Sequence, residues 1–92
     1  MKIFEVLLSE TARKQLKDLP EAAQQRIKRA LGELKEDPFH PRPKADIKRS
    51  KGPDREYHRQ RIGDFRVVYV VEGQRVLVAK ILPRSKAYNW IE

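Results

Sequence analysis

A Gly63-Asp64 pair splits one run of residues into two: Glu56 to Ile62 and Phe65 to Val71, both rich in β-branched and aromatic side chains. Glycine reaches the positive φ that tight two-residue hairpin turns require, so this stretch predicts two antiparallel strands with a fixed register. Ile62 then faces Phe65, Arg61 faces Arg66, Gln60 faces Val67, Arg59 faces Val68 and His58 faces Tyr69. Alternation places Arg59, Arg61 and Arg66 on one face, and Phe65, Val67, Tyr69 and Val71 on the other with His58 and Gln60. Like charges directly opposite one another destabilise a sheet. Three gathered arginines therefore call for an anion between them, and a phosphate is the obvious candidate.

The rest of the chain is placed relative to that hairpin. Lys2 to Leu8 reads as a strand, and Ser9-Glu10-Thr11 as the start of a helix with Ser9 as N-cap. Ala12, Leu16 and Leu19 recur at helical spacing until Pro20, which closes this helix and opens a second at its first position. Ala23, Ile27, Ala30, Leu31 and Leu34 carry the second helix to Lys35 or Glu36, while Arg26, Lys28 and Arg29 read as its solvated face. Pro38, Pro41 and Pro43 make a loop, because proline removes donors and bars helix from the residue before it. Lys44 to Gly52 is basic with little apolar content. It is either a ragged edge segment that brings Lys48, Arg49 and Lys51 near the hairpin or a mobile charged loop.

Glu72-Gly73-Gln74 predicts a second turn into a third antiparallel strand, Arg75 to Leu82, stopped by Pro83. A three-residue loop sets Arg66 opposite Lys80, whereas a two-residue loop drives Lys80 into the core. The first is preferred, since an unpaired core lysine is costly. Residues 84 to 92 form a short tail or one helical turn, with Arg84 near the arginine face. The sum is one α+β domain spanning residues 1–92. An N-terminal strand and an antiparallel helix hairpin cover one face of a mostly antiparallel sheet of about four strands.

Composition narrows the partners. With 21 Lys and Arg against 13 Asp and Glu, the net charge is +8, a field that attracts polyanions, although heavy use of Lys, Arg and Glu also suits the solvated surface of a thermophile protein. No cysteine is present and the two histidines stand far apart without ligand spacing, which argues against a metal enzyme or a disulfide framework. No cofactor is called for. There is no apolar run of membrane-spanning length and no signal-peptide pattern at the start, so the expected location is cytoplasmic.

The element order, the stretch Arg-Ile-Gly-Asp-Phe-Arg-Val-Val-Tyr at 61–69 and the stretch Pro-Arg-Ser-Lys-Ala-Tyr at 83–88 together resemble the RelE/ParE superfamily of type II toxin-antitoxin toxins, with archaeal RelE-like members the most similar. The resemblance covers nearly the whole chain. It implies the RelE-like fold, a cognate antitoxin as partner, and an open sheet face that cuts messenger RNA in the ribosomal A site. Carried over by position, it implies that Arg66 stabilises the scissile phosphate, that Arg84 and Tyr88 are the C-terminal arginine and the tyrosine that stacks on or orients a base, and that Arg59 and Arg61 occupy basic strand positions. One departure stands out: some relatives have a histidine where this chain has Pro83.

Metal-independent RNA cleavage proceeds by attack of the 2′-hydroxyl on the adjacent phosphate. It needs a base, an acid for the leaving 5′-oxygen, and positive charge on the non-bridging oxygens. Arginine forks supply the charge, with Lys48, Arg49, Lys51 and Lys80 as further RNA-binding candidates. Arginine is a poor base, and Lys80 and Tyr88 are weak candidates for that role. Geometry imposed by the ribosome is therefore expected to carry much of the rate. The competing functions are a ParE-like inhibitor of DNA gyrase without nuclease activity, and an RNA-binding relative without catalysis.

Overall fold

A computed structural model of the chain describes residues 3–40, 46–51 and 55–83. Along it run β1 (Glu5–Leu8), α1 (Glu10–Lys17), α2 (Glu21–Leu34), β2 (Asp46–Lys51), β3 (Glu56–Ile62), β4 (Phe65–Glu72) and β5 (Arg75–Pro83). The strands form one sheet in the order β1-β5-β4-β3-β2. β1 lies parallel to β5, and the other neighbouring pairs are antiparallel.

Ser9 joins the first strand to the first helix. Its hydroxyl accepts the Ala12 N–H at 3.0 Å, the bond of an N-cap. Ala12 and Leu16 are the buried stripe of α1, and Ile27, Leu31 and Leu34 that of α2. The Gln24 amide of α2 donates to the carbonyls of Lys17 and Leu19, satisfying acceptors left over at the end of α1. Pro20 sits one position earlier than expected, as the N-cap of α2. Both helices pack on the sheet face that carries Ile47, Val67, Tyr69, Val76, Val78 and Ile81, and these residues make the core. No helix among the described residues is long and apolar enough to cross a membrane.

The β3–β4 register matches the sequence reading pair for pair, from His58–Tyr69 to Ile62–Phe65. Gly63 has φ 58° while no described non-glycine residue has positive φ, so the turn needs glycine at its first position alone. A Cβ on Gly63 would also lie 3.1 Å from Nη1 of Arg26, which reaches from α2 to the hairpin tip.

Three expectations are corrected. The sheet has five strands rather than four, because residues 46–51 pair with β3 along their whole length as an edge strand. Its sequence signal was weak because an edge strand over one core face needs a single buried apolar residue here, Ile47, 5% exposed. The first strand begins at Glu5, since the Phe4 N–H turns away to the Lys35 carbonyl at 2.7 Å and β5 does not begin until Arg75. Finally, the second turn is a two-residue loop, with Glu72 opposite Arg75, and Lys80 nevertheless stays off the core face. A bulge reconciles the two: Tyr69 pairs with Val78 and Val68 with Lys80, leaving Ala79 as the extra residue of β5. Lys80 thus faces Val68, and Leu82 takes the position opposite Arg66.

Candidate functional site

The sheet face turned away from the helices carries its charge in two rows across the strands. One row runs Lys48, Arg59, Val68, Lys80, and the next runs Asp46, Arg61, Arg66, Leu82. Neighbouring strands lie about 5 Å apart and same-face positions along a strand about 7 Å apart. Five cationic side chains therefore share an area that one or two phosphate groups can bridge. Arg61 faces Arg66 directly and Lys48 faces Arg59 directly, arrangements that cost stability unless an anion intervenes.

Arg66 differs from the others in its burial. It is 7% exposed, and its Nη1 donates to the Phe65 carbonyl at 3.2 Å, while no carboxylate among the described residues pairs with it. A guanidinium withdrawn from water without a counter-charge is costly. Its strand neighbours Val68 and Val70 are also buried, at 0% and 6%, so the middle of this face is packed, with the longer cations Arg59 and Lys80 on either side of Val68. Arg61 is exposed at the rim.

The other residues singled out from the sequence divide as follows. Lys48 joins the basic face. Arg49 and Lys51, by strand alternation, point to the opposite side, where Arg49 pairs with Glu56 at 3.7 Å. Arg84 and Tyr88 lie outside the described residues. Asp46, opposite Arg61, is a rim acid that the sequence reading did not bring forward. An apolar groove of ≈ 350 Å³, lined by Leu7, Tyr57, Val70, Leu77 and the Arg55 rim among others, was also missed. Its signal was available: Leu7 and Leu77, paired across β1 and β5, are apolar residues at the solvent-facing parity.

His58 and Gln60 lie on the covered side, as alternation predicts. His58 is an interior residue, but its Nδ1 has no hydrogen-bond partner, and it is held by rings instead. It stacks on Tyr69 at 5.3 Å and meets Phe39 edge-on at 5.7 Å. Burial pushes the His58 imidazolium below its ordinary pKa of 6.5; Glu56 pulls it up and Arg49 pushes it further down. The unfolded chain then takes up a proton near pH 6.5 that the folded chain refuses. Stability is full above that pH and is lost on acidification through the lower folded value, at up to about 1.4 kcal/mol per pH unit. Urea unfolding at stepped pH values between 7.5 and 5 measures this slope, which His58→Phe is expected to flatten. An equal slope in both proteins would place the titrating group elsewhere.

The chain is similar to known proteins over nearly its full length. Residues 6–88 match the family of the ParE toxin of the type II toxin-antitoxin system parDE. The chain is 42% identical over 88 residues to RelE1 of Methanocaldococcus jannaschii, covering 94% of this chain and 96% of that protein. It is 31% identical over 87 residues to the toxin RelE3 of the same organism, with 95% and 98% covered. Among solved structures, the archaeal RelE-RelB complex from Pyrococcus horikoshii matches with a TM-score of 0.78 at 30% identity, covering 95% of this chain and all of that one. The RelB-RelE antitoxin-toxin complex from Methanococcus jannaschii matches with a TM-score of 0.72 at 29% identity, covering 94% and 99%.

Proposed function

The chain belongs to the RelE/ParE toxins of type II toxin-antitoxin systems, and from that premise we propose that it is an endoribonuclease that cuts messenger RNA in the ribosomal A site, held silent by a cognate antitoxin of the RelB kind. The observation that carries the nuclease reading is Arg66, nearly buried and without a carboxylate among the described residues, at the centre of a face where Arg59, Arg61, Lys48 and Lys80 converge. A phosphate seated there supplies the missing counter-charge. In a site shielded from water, fixed guanidinium donors stabilise the extra charge that develops on the non-bridging oxygens as the 2′-hydroxyl attacks.

The same residues are poor proton acceptors. Rate must then come from alignment of the 2′-oxygen, phosphorus and leaving 5′-oxygen, which a message held in the ribosome provides. Tyr88 and Arg84 serve as weak acid-base and base-stacking groups. Arg49 and Lys51, on the other side of β2, have no part in holding the scissile phosphate. The antitoxin is expected to present an acidic surface to this basic chain.

A second reading follows from the family model, which bears the ParE name: inhibition of gyrase without RNA cleavage. Mapping of messenger RNA 5′ ends in a translating extract, beside plasmid supercoiling in cells induced for the protein, separates the two. New 5′ ends within coding sequence that depend on translation are expected. Intact messages with altered supercoiling would transfer the protein to the gyrase class, and equal cutting of ribosome-free RNA would remove the dependence on the ribosome.

A further inference from the structure

The bulge in β5 decides which of its side chains belong to the basic face, and the first helix holds that bulge in place. From the second turn, β5 pairs without a break as far as Tyr69–Val78. Continued without the bulge, the same ladder would set Ala79 against Val68, Lys80 against the fully buried Val67, and Ile81 against Arg66. The lysine would then take the core position and the isoleucine would sit among the arginines. Ala79 as an extra residue reverses both placements, so Lys80 lies against Val68 and Ile81, 2% exposed, against Val67.

The backbone groups at this irregularity find partners at the start of α1. The Ser9 N–H donates to the Val78 carbonyl at 2.9 Å, and the Ser9 hydroxyl donates to the Ala79 carbonyl at 2.7 Å. That hydroxyl also accepts from the Ala12 N–H, so one oxygen caps the helix and closes the bulge. Two residues on, where β1 has ended and no other strand among the described residues borders that edge of β5, the Ile81 N–H donates to Oε1 of Gln15 at 2.7 Å. These three bonds fall on the residues that flank the change of register. A regular strand would present a different set of backbone groups to that edge.

We propose that Ser9 and Gln15 are positioning residues for Lys80: they lock the Ala79 bulge and thereby hold the lysine amine on the phosphate-binding face, beside Arg59 and Arg66. The amine's role toward phosphate rests on the nuclease reading; its placement by Gln15 does not.

The test compares Gln15→Leu, which has no acceptor for the Ile81 N–H, with Gln15→Glu, which keeps one. Native acetylation followed by mass spectrometry gives the reactivity of Lys80 relative to Lys48 in the same molecule. Gln15→Leu is expected to lower that ratio several-fold, and Gln15→Glu to keep it. Binding of a mixed-sequence single-stranded RNA oligonucleotide, titrated with salt, gives the number of phosphate contacts. Gln15→Leu is expected to lose about 0.7 from the slope, one contact on a single strand, and to lose nothing more when Lys80→Ala is added. A lowered melting temperature with unchanged ratio and slope would mean that Gln15 serves only stability and would overturn the proposal. If the unaltered protein does not bind free RNA, the acetylation ratio alone decides the placement, and the nuclease reading is decided separately by the mapping of messenger RNA 5′ ends. Should Gln15→Leu not fold, Gln15→Asn, whose amide falls short of Ile81, is read in the same way.

Discussion

Arg66→Ala is expected to lower ribosome-dependent cleavage by about 10²- to 10³-fold, the usual loss when one preorganised donor to a developing oxyanion is removed. The physical ground is burial. Arg66 is 7% exposed and its described polar contact is the carbonyl of its own neighbour, Phe65, so the protein bears a desolvation cost that the folded chain does not recover from its described carboxylates. Such a cost makes sense where a phosphate enters. The same reasoning yields a second, opposite effect: Arg66→Met, which keeps the stem and deletes the charge, is expected to stabilise the free protein by on the order of 1 kcal/mol while abolishing cleavage. Single-turnover cleavage on programmed ribosomes and urea unfolding of the same preparations check the pair. A Met variant that loses stability would return Arg66 to a structural role. Arg66→Lys is expected to keep a small part of the activity, since an ammonium supplies charge without the bidentate fork.

The basic face was legible because it depends on two short-range facts, a glycine turn and period-two alternation. Once Gly63 fixes the turn, Arg59, Arg61 and Arg66 must share a side, and they do. What could not be read was whatever depended on tertiary partners. The parity change in β5 is written in the spacing of Val76, Val78 and Ile81, which steps by two and then by three. To recognise it as a bulge requires knowing that Ser9 and Gln15 stand opposite to satisfy it. The strand at 46–51 is legible only as a partner of β3, because with Ile47 as its single buried apolar residue its own sequence shows no alternating pattern. Burial of Arg66 and Val68 on the outward face was likewise hidden, since alternation predicts direction and not depth. That hidden depth is what distinguishes Arg66 from Arg61, directly across from it and exposed.

The largest expected loss of stability comes from Tyr69, the residue on the core side of the same strand. Its parity with Phe65, Val67 and Val71 buries the ring completely, and the side chain is long enough to cross the core and reach the loop that follows α2. There the phenol donates to the Pro38 carbonyl at 2.7 Å, and Pro38 itself is fully buried. A loop rich in proline has few donors of its own, so an acceptor in its interior must be satisfied from elsewhere. Around this bond the rings continue: Tyr69 stacks on His58, His58 meets Phe39, and Phe39 meets Phe4 edge-on at 5.8 Å. One side chain thus ties the central strand to the end of the helical layer and to the segment before β1. Tyr69→Phe keeps the ring and orphans the Pro38 carbonyl, at an expected cost of about 1 to 3 kcal/mol. Tyr69→Ala removes the ring as well, and about 3 to 5 kcal/mol is expected. A small domain has on the order of 5 to 15 kcal/mol in total, so the alanine variant should lose a large share of it, and its melting temperature is expected to fall by about 12 to 40 °C. Thermal and urea unfolding followed by circular dichroism measure both. Because Tyr69 lies on the face away from the arginines, the phenylalanine variant is expected to cleave as well per folded molecule as the unaltered protein; a large fall in its specific activity would show that the two faces of β4 are coupled.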